Sequence, residues 1–157
     1  MKVTSTDPIH IGFSGTRDGM TDCQISAIRE ELTQIANKKK IIAHHGDCVG
    51  ADQQFHAICE SIRDLFNNPT WIKIVIHPPF AKTLRAYCRG DEIRSPKSYR
   101  ERNEDIARSS QKFLAAPKSD VDDFRSGTWQ TVRMAEEQPV VKSITIYQRD
   151  GEVIVRK

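Results

Sequence analysis

Apolar positions along the chain follow two rhythms that alternate with each other. Residues 9–14, "IHIGFS", alternate and then run apolar, which predicts a first strand. Behind it Ile25, Ile28, Leu32 and Ile35 stand 3, 4 and 3 residues apart, one face of a helix that reaches about Asn37. Thr21, followed three residues later by Gln24, has the form of a capping box at its start. "IIAHHG" (41–46) reads as a short buried strand, and "GDCVGAD" turns the chain into a second helix whose Phe55, Ile58, Ile62 and Leu65 repeat the same spacing. "WIKIVIH" (71–77) is a third strand, stopped by Pro78-Pro79. The next twenty or so residues lack a clean period.

A helix over 99–109 carries Ile106 and Ala107 inward, "KFLAAP" (112–117) is a fourth strand, and "SGTWQTVRMAEE" (126–137) is a helix entered through Ser126-Gly127. "SITIYQ" and "EVIVR" flank Arg149-Asp150-Gly151, which predicts a C-terminal β-hairpin. Strand and helix therefore alternate three or four times before the chain ends in strands. That order predicts an α/β fold: a doubly wound, mostly parallel sheet with helices on both faces, in one domain over 1–157. In such a sheet ligands bind at the carboxyl ends of the strands.

Composition narrows the class. The 157 residues are 38% hydrophobic and 29% charged, as in a globular protein with a real core. No apolar run approaches the roughly 20 residues that span a bilayer. The opening "MKVTSTDPIH" lacks the apolar stretch of a signal peptide, so a cytoplasmic location is expected. Cys23, Cys48, Cys59 and Cys88 form no CxxC pair and read as reduced thiols. The net charge of +3 is too small to imply nucleic-acid binding, but it is unevenly placed. Residues 81–102 hold seven basic side chains (Lys82, Arg85, Arg89, Arg94, Lys97, Arg100, Arg102) against three acids (Asp91, Glu92, Glu101). That segment is +4 and the remainder −1.

Three strand ends carry the candidate chemistry. Strand one ends in Ser14-Gly15-Thr16-Arg17. Strand two ends in His44-His45-Gly46-Asp47-Cys48-Val49-Gly50-Ala51-Asp52. Strand four leads to Arg125-Ser126-Gly127-Thr128. The second and third open into helix N-termini, where free N–H groups and the helix dipole favour anions. Hydroxyls of Thr16, Ser126 and Thr128 can donate to phosphate oxygens, and Arg17 can pair with phosphate bidentately. Any one of these loops is explained by ordinary turn chemistry; three on one edge predict a small ligand bearing phosphate. GxxxxGK[ST] and GxGxxG are both absent, which argues against a P-loop kinase or a standard dinucleotide dehydrogenase.

The motifs "GFSGTR", "HGDCVGAD", "IHPP", Arg102-Asn103-Glu104-Asp105-Ile106-Ala107, "AAP" and "SGTWQTVRMA", in this order and spacing over residues 9–156, resemble the SLOG superfamily. These are Rossmann-like domains named for the Smf/DprA and LOG proteins. The resemblance implies a nucleotide or nucleotide-derived ligand held by Gly15-Thr16-Arg17, Gly46-Asp47, Gly50-Ala51-Asp52 and Ser126-Gly127-Thr128, with Arg102 and Asn103 facing it from their helix. It also implies a homodimer as the form such domains often take. Some LOG-type members hydrolyse the N-glycosidic bond of nucleoside monophosphates; others bind or sense nucleotides or DNA. LOG hydrolases have a Pro-Gly-Gly-x-Gly-Thr-x-x-Glu pattern with a catalytic glutamate, and here Thr131 takes that glutamate's place. A threonine has no carboxylate to stabilise an oxocarbenium-like centre. Asp47 and Asp52 are the replacement candidates for catalysis. Each also has a structural reading, Asp47 as a loop acceptor and Asp52 as a first-turn charge, and an Asp aimed at a ribose hydroxyl needs no catalysis.

Two competing readings complete the picture. His45, Cys48, His56 and Cys59 spell H-x2-C-x7-H-x2-C, four zinc-ligand types in fifteen residues. The expectation nonetheless is no metal and no cofactor, because Cys59 borders an apolar helix face. The basic segment with Tyr87 and Tyr99 fits either single-stranded nucleic acid or, over 81–98, a positively charged lid above an anionic ligand. Trp129 reads as packing rather than stacking, and His77 as a structural strand-end residue.

Overall fold

The computed structural model describes residues 7–157. The opening segment bearing on a signal peptide lies largely outside the described residues, in 1–6. Strands β1 (Ile9–Gly15), β2 (Ile41–His45), β3 (Ile72–Ile76), β4 (Glu92–Ile93), β5 (Lys112–Ala116), β6 (Ser143–Tyr147) and β7 (Val153–Arg156) form one sheet in the order β4-β3-β2-β1-β5-β6-β7. Every pairing is parallel except β6 with β7, the predicted hairpin. Helices α1 (Asp22–Ala36) and α2 (Ala51–Phe66) pack together, as do α3 (Tyr99–Ser109) and α4 (Gly127–Glu137). The fold is thus the doubly wound, Rossmann-like α/β architecture with helices on both faces.

Alternation along the strands divides the core between the faces. Ile11 and Phe13 of β1 join Ile28 and Leu32 of α1 and Phe55, Ile58 and Ile62 of α2. Phe13 stacks on Phe55 at 4.4 Å. Across the sheet, Phe113 and Ala115 of β5 join Ile106 of α3 and Trp129 and Val132 of α4. Each such fully buried large apolar side chain contributes about 2–3 kcal/mol. Leu65 departs from its expected stripe. It is 77% exposed, because α2 ends at Phe66 through Asn67 in the left-handed conformation (φ 49°). Phe66 takes over the packing by stacking on Trp71 at 5.6 Å.

The aperiodic stretch after β3 holds a 3-10 turn (Lys82–Leu84) and β4, a two-residue edge strand whose residues are exposed. Asp91 anchors it: its Oδ2 accepts from the Ile74 amide at 2.8 Å and from Arg63 at 3.1 Å. On the α3 side of the sheet, His10, His44 and His77 form a row across β1, β2 and the end of β3. His10 Nδ1 meets His44 Nε2 at 2.9 Å, and His44 Nδ1 meets His77 Nε2 at 3.0 Å. Burial first, and the neighbouring imidazoles next, push His44 down to about 3; burial also takes His77 down to about 4.

The predicted capping box of α1 is formed, and Gln24 does more than cap. Its Oε1 accepts from the Thr21 amide at 3.0 Å, while its Nε2 donates to the carbonyls of Tyr147 (2.9 Å) and Pro117 (3.3 Å). One fully buried amide therefore ties a helix start to the ends of β5 and β6. Gln24→Met keeps the length but strands those carbonyls, and should cost about 2–3 kcal/mol in urea unfolding; an unchanged midpoint would show that the amide's bonds carry no net stability.

Candidate functional site

The sheet's strand order reverses at β1, which has β2 on one side and β5 on the other. At the carboxyl ends of these strands lies a cavity of about 1250 Å³. Ser14, Gly15, Thr16 and Arg17 line it from β1, Gly46 and Asp52 from the β2–α2 connection, Arg102 and Asn103 from α3, and Ser126, Gly127 and Thr128 from α4. The three loops do share one hollow. Asp47, Gly50, Ala51 and Thr131 are not part of its lining.

The reasons those four stand back are local. Gly50 has φ +92°, and a Cβ there would sit 2.2 Å from the Arg17 carbonyl oxygen, so only glycine lets the two turns lie against each other. The Ala51 amide donates to the Thr16 carbonyl at 3.0 Å. Asp52, in the first turn of α2, accepts from the Cys48 amide at 3.1 Å. The first amide of α2 is therefore spent on joining loops, while those of Asp52 and Gln53, among the described residues, have no backbone partner. Thr131 is fully buried, and its hydroxyl donates to the Gly127 carbonyl at 2.8 Å.

Asp47 corrects the expectation of a carboxylate beside a ligand. It is fully buried at φ 56°. Its Oδ2 takes Arg85 Nε and Nη2, both at 3.1 Å, and its Oδ1 takes the Cys88 amide at 2.9 Å. Its carbonyl accepts from the Ala86 amide at 2.8 Å. Asp47 thereby fastens the basic segment to the β2 end. No residue of 81–98 lines the cavity, so that segment is not a lid over it. Tyr87, exposed, lies against Arg85 (4.5 Å), and that arginine is already held by Asp47.

The start of α4 remains open. Ser126 caps it by accepting from the Trp129 amide at 3.2 Å. Among the described residues, the amides of Arg17, Gly127 and Thr128 have no backbone partner. A Cβ on Gly127 would meet nothing within 4 Å. Trp129 packs, as expected: it is 1% exposed and its Nε1 donates to the Ser119 carbonyl at 3.0 Å.

Arg102 forms the floor. Its Nη1 donates to the Gly46 carbonyl at 2.5 Å and its Nη2 to Cys48 Sγ at 3.4 Å. A Cβ on Gly46 would lie 1.7 Å from that Nη1, so the glycine makes room for the guanidinium. Arg102 is 7% exposed, and its buried Nε has no partner, nor has the buried Tyr99 hydroxyl. The Tyr99 ring lies between Arg17 (4.7 Å) and Arg102 (5.1 Å), which orients both cations by cation–π contact. Burial drives the Asp52 carboxyl up to about 6, against the pull of nearby Arg102.

The cavity contains residues beyond the motifs. Tyr99, Arg102 and Ile106 recur at 3 and 4 along α3, and Gly127, Gln130, Met134 and Glu137 at 3, 4 and 3 along α4. These are helix faces, visible as periodicity once each helix is placed. Lys118 also lines it, paired to Asp18 at 2.7 Å.

The zinc tetrad is split. Cys48 turns to Arg102, and Cys59 lies in the apolar core. Among the described residues the metal-compatible group is His45, His56 and Cys88. The Asp47 amide donates to His45 Nδ1 at 3.0 Å, so the ring carries its proton on Nε2, which donates to His56 Nδ1 at 2.9 Å. A metal at that Nε2 would leave the imidazole without any N–H, where a ligating histidine normally donates through its second nitrogen. The donor set does not fit a metal centre. All four thiols are free, and no helix of the described residues is long and apolar enough to cross a membrane.

Compared with protein-family models and with curated proteins, the chain matches none.

Asp52 supplies a pH test. Its folded value, about 6, lies above the ordinary 3.8, so the folded state holds the extra proton between them and stability falls as pH rises through that window. The buried histidines, with lowered values, push the other way below about 6.5. Asp52→Asn isolates the carboxyl: relative to wild type it should gain roughly 3 kcal/mol between pH 4 and pH 7.5. Parallel urea curves at both pH values would refute the assignment.

Proposed function

We propose that the chain binds a nucleotide or nucleotide-derived phosphate ligand in the cavity at the strand-order reversal, as the SLOG resemblance implies. The observation carrying this reading is a buried guanidinium whose Nε lacks a partner, in the hollow that also holds the free amides of Arg17, Gly127 and Thr128. A helix start with unspent N–H groups favours an anion, and a buried arginine short of one acceptor favours it again. The hydroxyls of Ser14, Thr16 and Thr128 add donors in the same lining. The volume lies slightly above the usual range of small-molecule sites, room for a sugar and base beside the phosphate. A cytoplasmic setting and SLOG membership belong to this proposal.

A second reading has its own observation. Asp52 is the candidate carboxylate that does line the cavity, and its raised value suits proton transfer near neutral pH. On this reading the chain is an N-glycosidase acting on nucleoside monophosphates, with Asp52 in place of the glutamate absent at Thr131. Single-stranded nucleic acid has weaker support, because within the basic segment Arg85 is tied to Asp47, Arg94 to Glu92 and Lys97 to Asp105.

Titration with nucleoside mono- and diphosphates, followed by chromatography for free base, separates the readings. Saturable binding without release makes the chain a binding module; release lost in Asp52→Asn makes it a hydrolase. Gly127→Val fills open space at the α4 start and should lower nucleotide affinity at least 100-fold with an unchanged circular dichroism spectrum. Undiminished affinity in that folded variant would refute the placement.

A further inference from the structure

We infer that two copies of the chain join antiparallel through their β7 strands, extending the sheet across a twofold axis. Among the described residues no strand covers the outer side of β7. Val153, Ile154 and Val155 are 50%, 37% and 65% exposed, a continuous apolar run on an edge. Exposed edges of this kind are templates for further pairing.

The direction of the free groups can be read from the hairpin. The Gln148 amide donates to the Glu152 carbonyl at 2.8 Å, so Glu152 turns its backbone groups toward β6. Alternation then turns those of Ile154 and Arg156 inward and those of Val153 and Val155 outward. A second copy can bond to the outward pair in an antiparallel register centred on Ile154. In that register Val153 of each copy faces Val155 of the other, giving four main-chain hydrogen bonds.

Charge selects this register and the occupant. Centred on Ile154, it sets Glu152 of one copy opposite Arg156 of the other, twice over by symmetry. Each Arg156 meets Glu136 of its own copy through Nη1 at 2.9 Å, and its remaining guanidinium donors serve the second carboxylate. Shifting the centre by one residue either way breaks both pairs and sets Ile154 against a charged residue, Glu152 or Arg156. The stretch Glu152-Val153-Ile154-Val155-Arg156 is thus complementary to itself run backwards, as a twofold interface requires. The edge at β4 offers only two residues and carries no comparable sequence.

Analytical ultracentrifugation over a concentration series tests this. Wild type should show a concentration-dependent dimer. Val155→Pro removes an outward N–H and leaves the β6 ladder whole, so it should sediment as a monomer with unchanged circular dichroism. Independently, in a Cys23→Ser background, Ile154→Cys should form a disulfide-linked dimer on mild oxidation. Residues facing at the axis lie about 4.5 Å apart. Val155→Cys should not, its copies being on the order of 8 Å apart. A wild type that is monomeric at every concentration would overturn the proposal and leave the edge to some other strand. A dimer persisting in folded Val155→Pro, or cross-linking at 155 equal to that at 154, would overturn it as well.

Discussion

The arrangement depends on β1 being hydrogen-bonded in parallel to two strands whose crossovers leave on opposite faces. From β1 the chain winds through α1 and α2 on one side; after β4 it returns through α3 and α4 on the other. Right-handed crossovers make this separation obligatory once the strand order reverses. No helix can then close the gap above the ends of β1 and β5. The hollow is a product of topology before any side chain is chosen, and the side chains decide only what it holds.

What they decide is split between holding the loops and leaving groups free. Gly50, Ala51 and the Thr16 carbonyl weld the first two turns together, and Asp47 anchors the segment beyond β3 through Arg85. Arg102 fills the room beside Gly46 and keeps one nitrogen unsatisfied. A buried donor without a partner is costly, and it lies in the one lining where the β1 loop and the α4 start also have amides to spare. The welded turns give that lining little freedom to relax, which is the condition for preorganised recognition.

Periodicity carried most of the fold. The first two helices stood in the sequence through their amphipathic spacing, the third through Ile106 and Ala107 and the fourth through its Ser126-Gly127 entry, and the long strands through apolar runs bounded by Gly and Pro. β4 was not legible: two exposed residues show no alternation, and what holds them is the distant Asp91–Arg63 contact. Leu65 misled because spacing does not reveal where a helix ends. At the site, the small and hydroxyl residues near three strand ends were legible as a group, but their division of labour was not. Whether Asp47 faces a ligand or Arg85 is a long-range matter, settled by a partner 38 positions away. The zinc-like spacing failed for the same reason, since the tautomer of His45 is set by a backbone donor that no spacing displays.

The row of His10, His44 and His77 has a property of its own. A neutral imidazole donates through one nitrogen and accepts through the other, so each of the two contacts needs one hydrogen between its two nitrogens. Choosing the tautomer of any member dictates the other two: all three carry the hydrogen on Nδ1, or all three carry it on Nε2. Three rings on three different strand segments therefore behave as one object with two polarities; reversal moves two hydrogens along the line, with one proton exchanged at His10 Nε2 and one, in the opposite sense, at His77 Nδ1. Adding a proton in the middle sets hydrogens head to head on one side, and the resulting repulsion is felt by β1, β2 and β3 together.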